Sequence, residues 1–173
     1  MKELILGGAR SGKSALAERL ARDSALAVTY IATATAGDEE MRARIAHHRA
    51  RRPSDWNLAE EPVRLASVLQ IHAAPNSCLI VDCLTLWLNN LLAAEDESLF
   101  SSERAALLET LPGLPGRILL VSNEVGMGIV PLGELSRKFC DEAGRLHQDL
   151  ARICDRVVFV AAGLPLVLKG NPL

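Results

Sequence analysis

Residues 7–14, Gly-Gly-Ala-Arg-Ser-Gly-Lys-Ser, hold the densest chemical information in this chain. Gly7 and Gly12 flank four residues and are followed by Lys13 and Ser14, the spacing of a nucleoside-triphosphate phosphate loop. The chemistry needs these types. Glycine permits backbone angles that a Cβ forbids, so successive N–H groups converge on phosphate oxygens at a helix N-terminus. Lys13 is expected to reach the β and γ phosphates, and the Ser14 hydroxyl to serve a magnesium ion. The flanks agree, because Leu4-Ile5-Leu6 predicts a strand before the loop and Leu16, Leu20 and Ala21 predict an amphipathic helix after it.

Three other segments offer chemistry. Asp82 closes the apolar run that starts at Cys78, where a carboxylate can hold magnesium opposite Ser14 or simply cap a helix. Residues 37–52 predict a helix with acids in its first turns and bases in its last, an order that complements the helix dipole. Within it His47 and His48 sit among Arg44, Arg49, Arg51 and Arg52, whose charge biases the imidazoles toward the neutral, nucleophilic form. Taken alone, such a pair on a basic helix reads as a solvated face more readily than as a catalyst. Residues 123–131, Asn-Glu-Val-Gly-Met-Gly-Ile-Val-Pro, follow a predicted strand, and loops at strand carboxyl ends bind ligands in open α/β sheets. A structural turn explains that segment equally well.

The elements that must position these residues alternate. Apolar, β-branched runs at 4–6, 27–33, 78–83, 117–122 and 156–162 recur between helical patterns, which predicts an α/β fold with a mostly parallel central sheet flanked by helices. A last run, residues 164–169, lies one Gly163 turn beyond its predecessor and leaves no room for a crossover, so it is expected as an antiparallel C-terminal edge strand. The polar stretch 93–102 is expected to be a loop between helices and the most mobile surface segment. No linker divides the 173 residues, so one nucleotide-binding domain over 1–173 is expected.

Composition narrows the classes. With 49% hydrophobic and 23% charged residues and a net charge of −2, nothing marks nucleic acid or an anionic membrane as a partner. Cys78, Cys83, Cys140 and Cys154 lack zinc-ligand spacing, so reduced, buried thiols and a cytoplasmic location are expected. No run approaches the roughly 18 apolar residues of a membrane span.

Taken together, the phosphate loop, Tyr30-Ile-Ala-Thr33, Arg44-Ile-Ala-His-His48, Arg52-Pro-x-x-Trp56, Asp82-Cys-Leu-Thr85 and the run 123–131 resemble one family along nearly the whole chain. It is the bifunctional adenosylcobinamide kinase/adenosylcobinamide-phosphate guanylyltransferase family of cobalamin biosynthesis. The resemblance implies a RecA-like P-loop NTPase fold, a homotrimer, Mg2+ at Ser14 and Asp82, and a corrinoid substrate. It also implies two reactions. The γ-phosphoryl of ATP or GTP passes to the adenosylcobinamide hydroxyl, and GMP from GTP then passes through a guanylyl-histidine to adenosylcobinamide phosphate, giving adenosylcobinamide-GDP. His47 matches the family's nucleophile, with Lys13 catalytic beside it. Nucleotide contacts are implied at Gly7, Gly8, Ala9, Arg10, Ser11, Gly12, Lys13, Ser14, Ala32, Thr33, Ala34, His48, Arg49, Ala50, Arg51, Glu60 and Asp82. Against the resemblance, the residues alone leave open a plain kinase for another small alcohol or a nucleotide-responsive binding module.

Overall fold

The computed structural model describes residues 1–35, 39 and 53–173. Seven strands form one sheet: β1 (Lys2–Gly7), β2 (Ala27–Ala32), β3 (Asn57–Glu60), β4 (Ser77–Asp82), β5 (Arg117–Asn123), β6 (Arg156–Ala161) and β7 (Leu164–Lys169). The described helices of eight or more residues are α1 (Lys13–Asp23), α2 (Leu65–His72), α3 (Leu84–Ala93), α4 (Glu97–Thr110) and α5 (Glu134–Ile153). The sheet order is β3-β2-β4-β5-β1-β6-β7. All neighbouring pairs are parallel except β6 with β7. Both the α/β class and the antiparallel last strand are as the sequence predicts.

Strand residues alternate between two cores. Leu4, Leu6, Leu79, Val81, Ile118 and Leu120 face one side, where Leu65, Leu69, Trp87, Leu107 and Leu146 from the later helices cover them. Ile5, Cys78, Ile80, Leu119 and Val121 face the other, against Leu16, Ala17, Leu20 and Ala21 of α1. A period of two on a sheet covered on both faces produces this near-continuous hydrophobic reading. The fully buried Trp87 ring also satisfies its polar edge, since its Nε1–H donates to Val63 O at 2.7 Å.

At the opposite end of the sheet, Glu3 is fully buried. Its carboxylate accepts from Arg117 Nε at 2.7 Å and from Arg156 Nε at 2.7 Å, joining β1 to both of its neighbours. Removing one partner of a buried network leaves the other charges uncompensated, so Glu3→Ala is expected to lower stability by about 3–5 kcal/mol. Urea unfolding of the variant checks this, and a loss under 1 kcal/mol would show that water compensates the two guanidinium groups.

Two sequence expectations need correction. Residues 93–102 are not one loop, because Glu97–Ser102 already belong to α4. Asp96 starts that helix, its Oδ1 accepting from Ser98 N–H at 2.9 Å and Leu99 N–H at 3.0 Å, so the polar composition marks an N-cap instead of a mobile segment. The bond from Leu99 is the main reason the Asp96 carboxyl lies below its ordinary range. The second correction is β3, which pairs with β2 although Asn57-Leu-Ala-Glu60 has no β-branched residue to announce a strand.

Candidate functional site

The phosphate loop links the end of β1 to the start of α1, as its spacing predicts. Gly7 has φ 152°, and a Cβ there would fall 2.2 Å from Val160 O. Gly12 has φ 102°, with Gly163 Cα 3.2 Å from where a Cβ would stand. Glycine is required at both positions, once for approach to β6 and once for the left-handed entry to α1. The hairpin turn between β6 and β7 holds the loop from outside. Ala162 and Gly163 both have positive φ, 52° and 80°, the twist that suits a two-residue turn, and Gly163 N–H donates to Ser11 O at 2.8 Å.

No side chain caps α1. Its first-turn N–H groups therefore face the loop, the arrangement that attracts an anion. Gly8, Ala9 and Arg10 are exposed, Ser11, Gly12 and Ser14 half-buried, and Lys13 buried. The Lys13 ammonium donates to Gly8 O at 2.6 Å, within the loop that it would serve. Burial lowers its pKa, and the neighbouring Cys83 and Asp82 oppose that shift.

Parallel register brings distant residues to one edge. Glu60, Ala32 and Asp82 lie abreast on β3, β2 and β4, which puts Glu60 about two strand spacings, or ~10 Å, from Asp82. Asp82 Oδ2 accepts from Ser14 Oγ at 3.0 Å and from Tyr30 Oη at 2.6 Å. Two hard oxygen donors, one hydroxyl and one carboxylate, thus meet beside the phosphate loop, a donor set that suits magnesium. Tyr30 went unnoticed in the sequence as a partner for Asp82. Its position two residues before Ala32 on the strand next to β4 is the signal that would have found it.

Thr33 is placed differently from a ligand-facing side chain. It is fully buried, its hydroxyl donates to Cys83 O at 2.7 Å, and that same oxygen accepts from Cys83 N–H at 3.0 Å. Its carbonyl accepts from Asn90 Nδ2 at 2.8 Å. Thr33 therefore ties β2 to the start of α3, while Ala32 and Ala34 beside it are half-buried. His47, His48, Arg49, Ala50 and Arg51 lie outside the described residues.

A chain of two buried groups and one half-buried carboxylate stands behind the loop after β5, and the sequence reading missed it. Ser122 Oγ lies 2.7 Å from His147 Nε2, and His147 Nδ1 lies 3.7 Å from Glu124 Oε2. Burial lowers the His147 pKa and the Glu124 charge opposes this, so the ring is neutral at neutral pH. A carboxylate facing Nδ1 favours the proton on that nitrogen, leaving Nε2 to accept from the Ser122 hydroxyl. The order serine, histidine, glutamate matches a hydrolytic triad, but Ser122 is fully buried and no substrate reaches it. His147 and Ser122 are 25 residues apart, and only the packing of α5 on the sheet joins them.

The thiols behave as expected of reduced cysteines. All four are free, three are buried, and Cys140 is half-buried. Burial pushes Cys78 up to about 11 and Cys154 to about 12, which keeps both protonated. Among the described residues no helix is long and apolar enough to cross a membrane.

Comparison with known proteins agrees with this architecture. Solved structures sharing the fold include the RadB recombinase, 19% identical with a TM-score of 0.53, covering 91% of this chain and 73% of that one. Another is an ATPase of a bacterial type III secretion system, 14% identical with a TM-score of 0.54, covering 96% and 57%. Closer similarity lies in sequence. The bifunctional adenosylcobalamin biosynthesis protein CobP of Pseudomonas aeruginosa is 64% identical over 173 residues, covering 100% of both chains. The bifunctional adenosylcobalamin biosynthesis protein CobU of Salmonella typhimurium is 41% identical over 182 residues, covering 98% of this chain and 100% of that one. The family described as cobinamide kinase / cobinamide phosphate guanyltransferase matches residues 3–168. With a P-loop fold, a phosphate loop in its proper setting and full-length relatives, the chain belongs to the cobinamide kinase / cobinamide phosphate guanyltransferase family of adenosylcobalamin biosynthesis.

Proposed function

We propose that this single domain, residues 1–173, performs both transfers at one nucleotide site and that His47 carries the guanylyl group between substrates. In the kinase step the aminopropanol hydroxyl of adenosylcobinamide attacks the γ-phosphorus of ATP or GTP. Its oxygen bonds to phosphorus, its proton passes to a base, and the nucleoside diphosphate leaves. In the second step an imidazole nitrogen of His47 attacks the α-phosphorus of GTP and pyrophosphate leaves. An oxygen of adenosylcobinamide phosphate then displaces His47 from that phosphorus, forming adenosylcobinamide-GDP and restoring the imidazole. A covalent intermediate divides one difficult displacement into two easier ones.

The observation that carries this reading is the meeting of Lys13, Ser14 and Asp82 at the phosphate loop, with Ser14 Oγ 3.0 Å from Asp82 Oδ2. Lys13 and the first-turn amides of α1 bind the phosphates, and Ala32, Ala34, His48, Arg49, Ala50, Arg51 and Glu60 are the further nucleotide contacts that the family resemblance implies. Ser14 and Asp82 would hold magnesium, which supplies charge neutralisation on the phosphate oxygens when bound. Asp82→Asn is accordingly expected to raise the magnesium needed for half-maximal rate by about tenfold, since a neutral oxygen holds a hard cation more weakly. A magnesium titration of the kinase rate checks it, and an unchanged midpoint would take Asp82 out of the site.

The functional test uses GTP labelled at either phosphorus. With adenosylcobinamide, γ label should appear on the corrinoid; without any corrinoid, α label should appear on the protein in an acid-labile bond. Alpha label must then chase into adenosylcobinamide-GDP when adenosylcobinamide phosphate is added. Transfer of γ label with no α label on the protein would reduce the chain to a plain kinase. Assembly as a homotrimer in the cytoplasm completes the proposal, with sedimentation equilibrium as the check on mass.

A further inference from the structure

The loop joining β5 to α5 leaves the sheet beside the phosphate loop, where Glu124 N–H donates to Gly7 O at 2.9 Å. Past that tether it turns apolar side chains outward. Met127 is 80% exposed, Ile129 98%, Val130 72% and Leu132 98%. Slack does not explain this. Glu124 Oε1 accepts from Gly126 N–H at 2.6 Å, Cys140 Sγ donates to Val125 O at 3.6 Å, and Arg137 donates to Pro131 O at 3.2 Å and also to Leu132 O. Behind Glu124 stands the buried His147. The backbone is thus held on either side of residues 127–130 while four large apolar side chains face water, a pattern that marks a binding surface.

We infer that this loop is the docking surface for the corrinoid acceptor, with Ile129, Val130 and Leu132 lying against the macrocycle. The inference rests on the kinase and guanylyltransferase reading above. Position selects the acceptor as occupant. A hydroxyl that meets the γ-phosphorus requires the rest of its molecule to lie on a surface continuous with residues 7–14, and the Glu124–Gly7 bond makes this loop continuous with them. Chemistry agrees. A corrin is a broad ring rimmed with methyl groups and carboxamides, which calls for apolar contact bordered by polar groups.

The loop offers both, since a cavity of about 360 Å³ opens among Val125, Ile129, Pro131, Arg137 and Asp141. The cavity is roomy enough to admit a peripheral carboxamide arm, while the ring itself spreads over the exposed aliphatic side chains. Such a surface accounts for large-ring recognition in a chain with only 3% aromatic residues. The other exposed apolar row, Leu164, Leu166 and Leu168, also begins beside the phosphate loop, where Gly163 N–H donates to Ser11 O at 2.8 Å. It follows the edge strand β7 away from that loop, however, and the cavity adjoins the 124–132 loop instead.

The test is the double variant Ile129→Ser with Leu132→Ser, both at surface positions that bear no core contact. The KM for adenosylcobinamide and the corrinoid dissociation constant by calorimetry are expected to rise by about tenfold or more. Labelling of the protein by α-labelled GTP without corrinoid, and the unfolding temperature, should match wild type. Unchanged corrinoid binding would overturn the inference. So would an equal loss of guanylyl labelling, which would assign the loop to the nucleotide, or a lower mass in solution, which would assign it to contact between copies of the chain. Failure of the wild type to phosphorylate corrinoid or take up α label is a separate result, since it removes the underlying reading before any variant is compared.

Discussion

His47→Ala is expected to abolish acid-labile labelling of the protein by α-labelled GTP and to reduce formation of adenosylcobinamide-GDP by about a thousandfold or more. The expectation is this large because the proposed mechanism makes the imidazole a bonded partner in the intermediate. A neighbour that only orients phosphate would leave a slow direct transfer, whereas removal of the nucleophile leaves no covalent species to be chased. The kinase step supplies the internal control. It makes its bond at a different phosphorus. In the proposed scheme it draws on Lys13, the loop amides, the magnesium held by Ser14 and Asp82 and a base other than His47, so γ-phosphoryl transfer should stay within about fivefold of wild type. His48→Ala separates the pair, because in the helix that the sequence predicts over 37–52 adjacent side chains would point about 100° apart, so that at most one would meet a given phosphorus. Labelling that survives in the His47 variant and disappears in the His48 variant would exchange the roles.

Lys13→Ala is the second large effect, expected to lower kcat/KM for phosphoryl transfer by about 10²–10⁴-fold. The ammonium is already aimed within the loop, donating to Gly8 O at 2.6 Å from a buried position. Its charge is poorly solvated there, as the burial-lowered pKa records, so an arriving triphosphate gains a cation that has little water to shed. Charge spreads over the γ-phosphoryl oxygens in the transition state, and a fixed cation stabilises that state more than the ground state. Lys13→Met keeps the aliphatic stem that packs at the start of α1, so comparing the two variants separates lost charge from lost packing. Similar losses in both, with unfolding temperatures near wild type, assign the effect to charge. A loss below tenfold in Lys13→Met would take the ammonium out of the phosphoryl step.

Sequence legibility differed by element for physical reasons. The phosphate loop was legible because its function lives in the backbone. Gly7 and Gly12 are the residues that φ of 152° and 102° and the nearby Val160 O and Gly163 Cα demand, and such local demands are written in consecutive residues. Buried parallel strands announced themselves as apolar runs, and the short step from Ala161 to Leu164 announced an antiparallel partner. By contrast β3 is too short and too polar to signal a strand. Asp96 hid a helix start inside a stretch whose composition resembles a loop.

Other features depended on tertiary structure alone. Asp82 meets Ser14 across 68 residues and Tyr30 across 52, and the meeting follows from the order of strands in the sheet, which periodicity within a strand does not encode. The burial of Thr33 and the Ser122–His147–Glu124 chain likewise follow from how helices settle onto that sheet. The sequence by itself determined which backbone can cradle phosphate, because that property is local. Only the fold decided which side chains surround the cradle, because parallel register aligns the carboxyl ends of strands that are far apart along the chain.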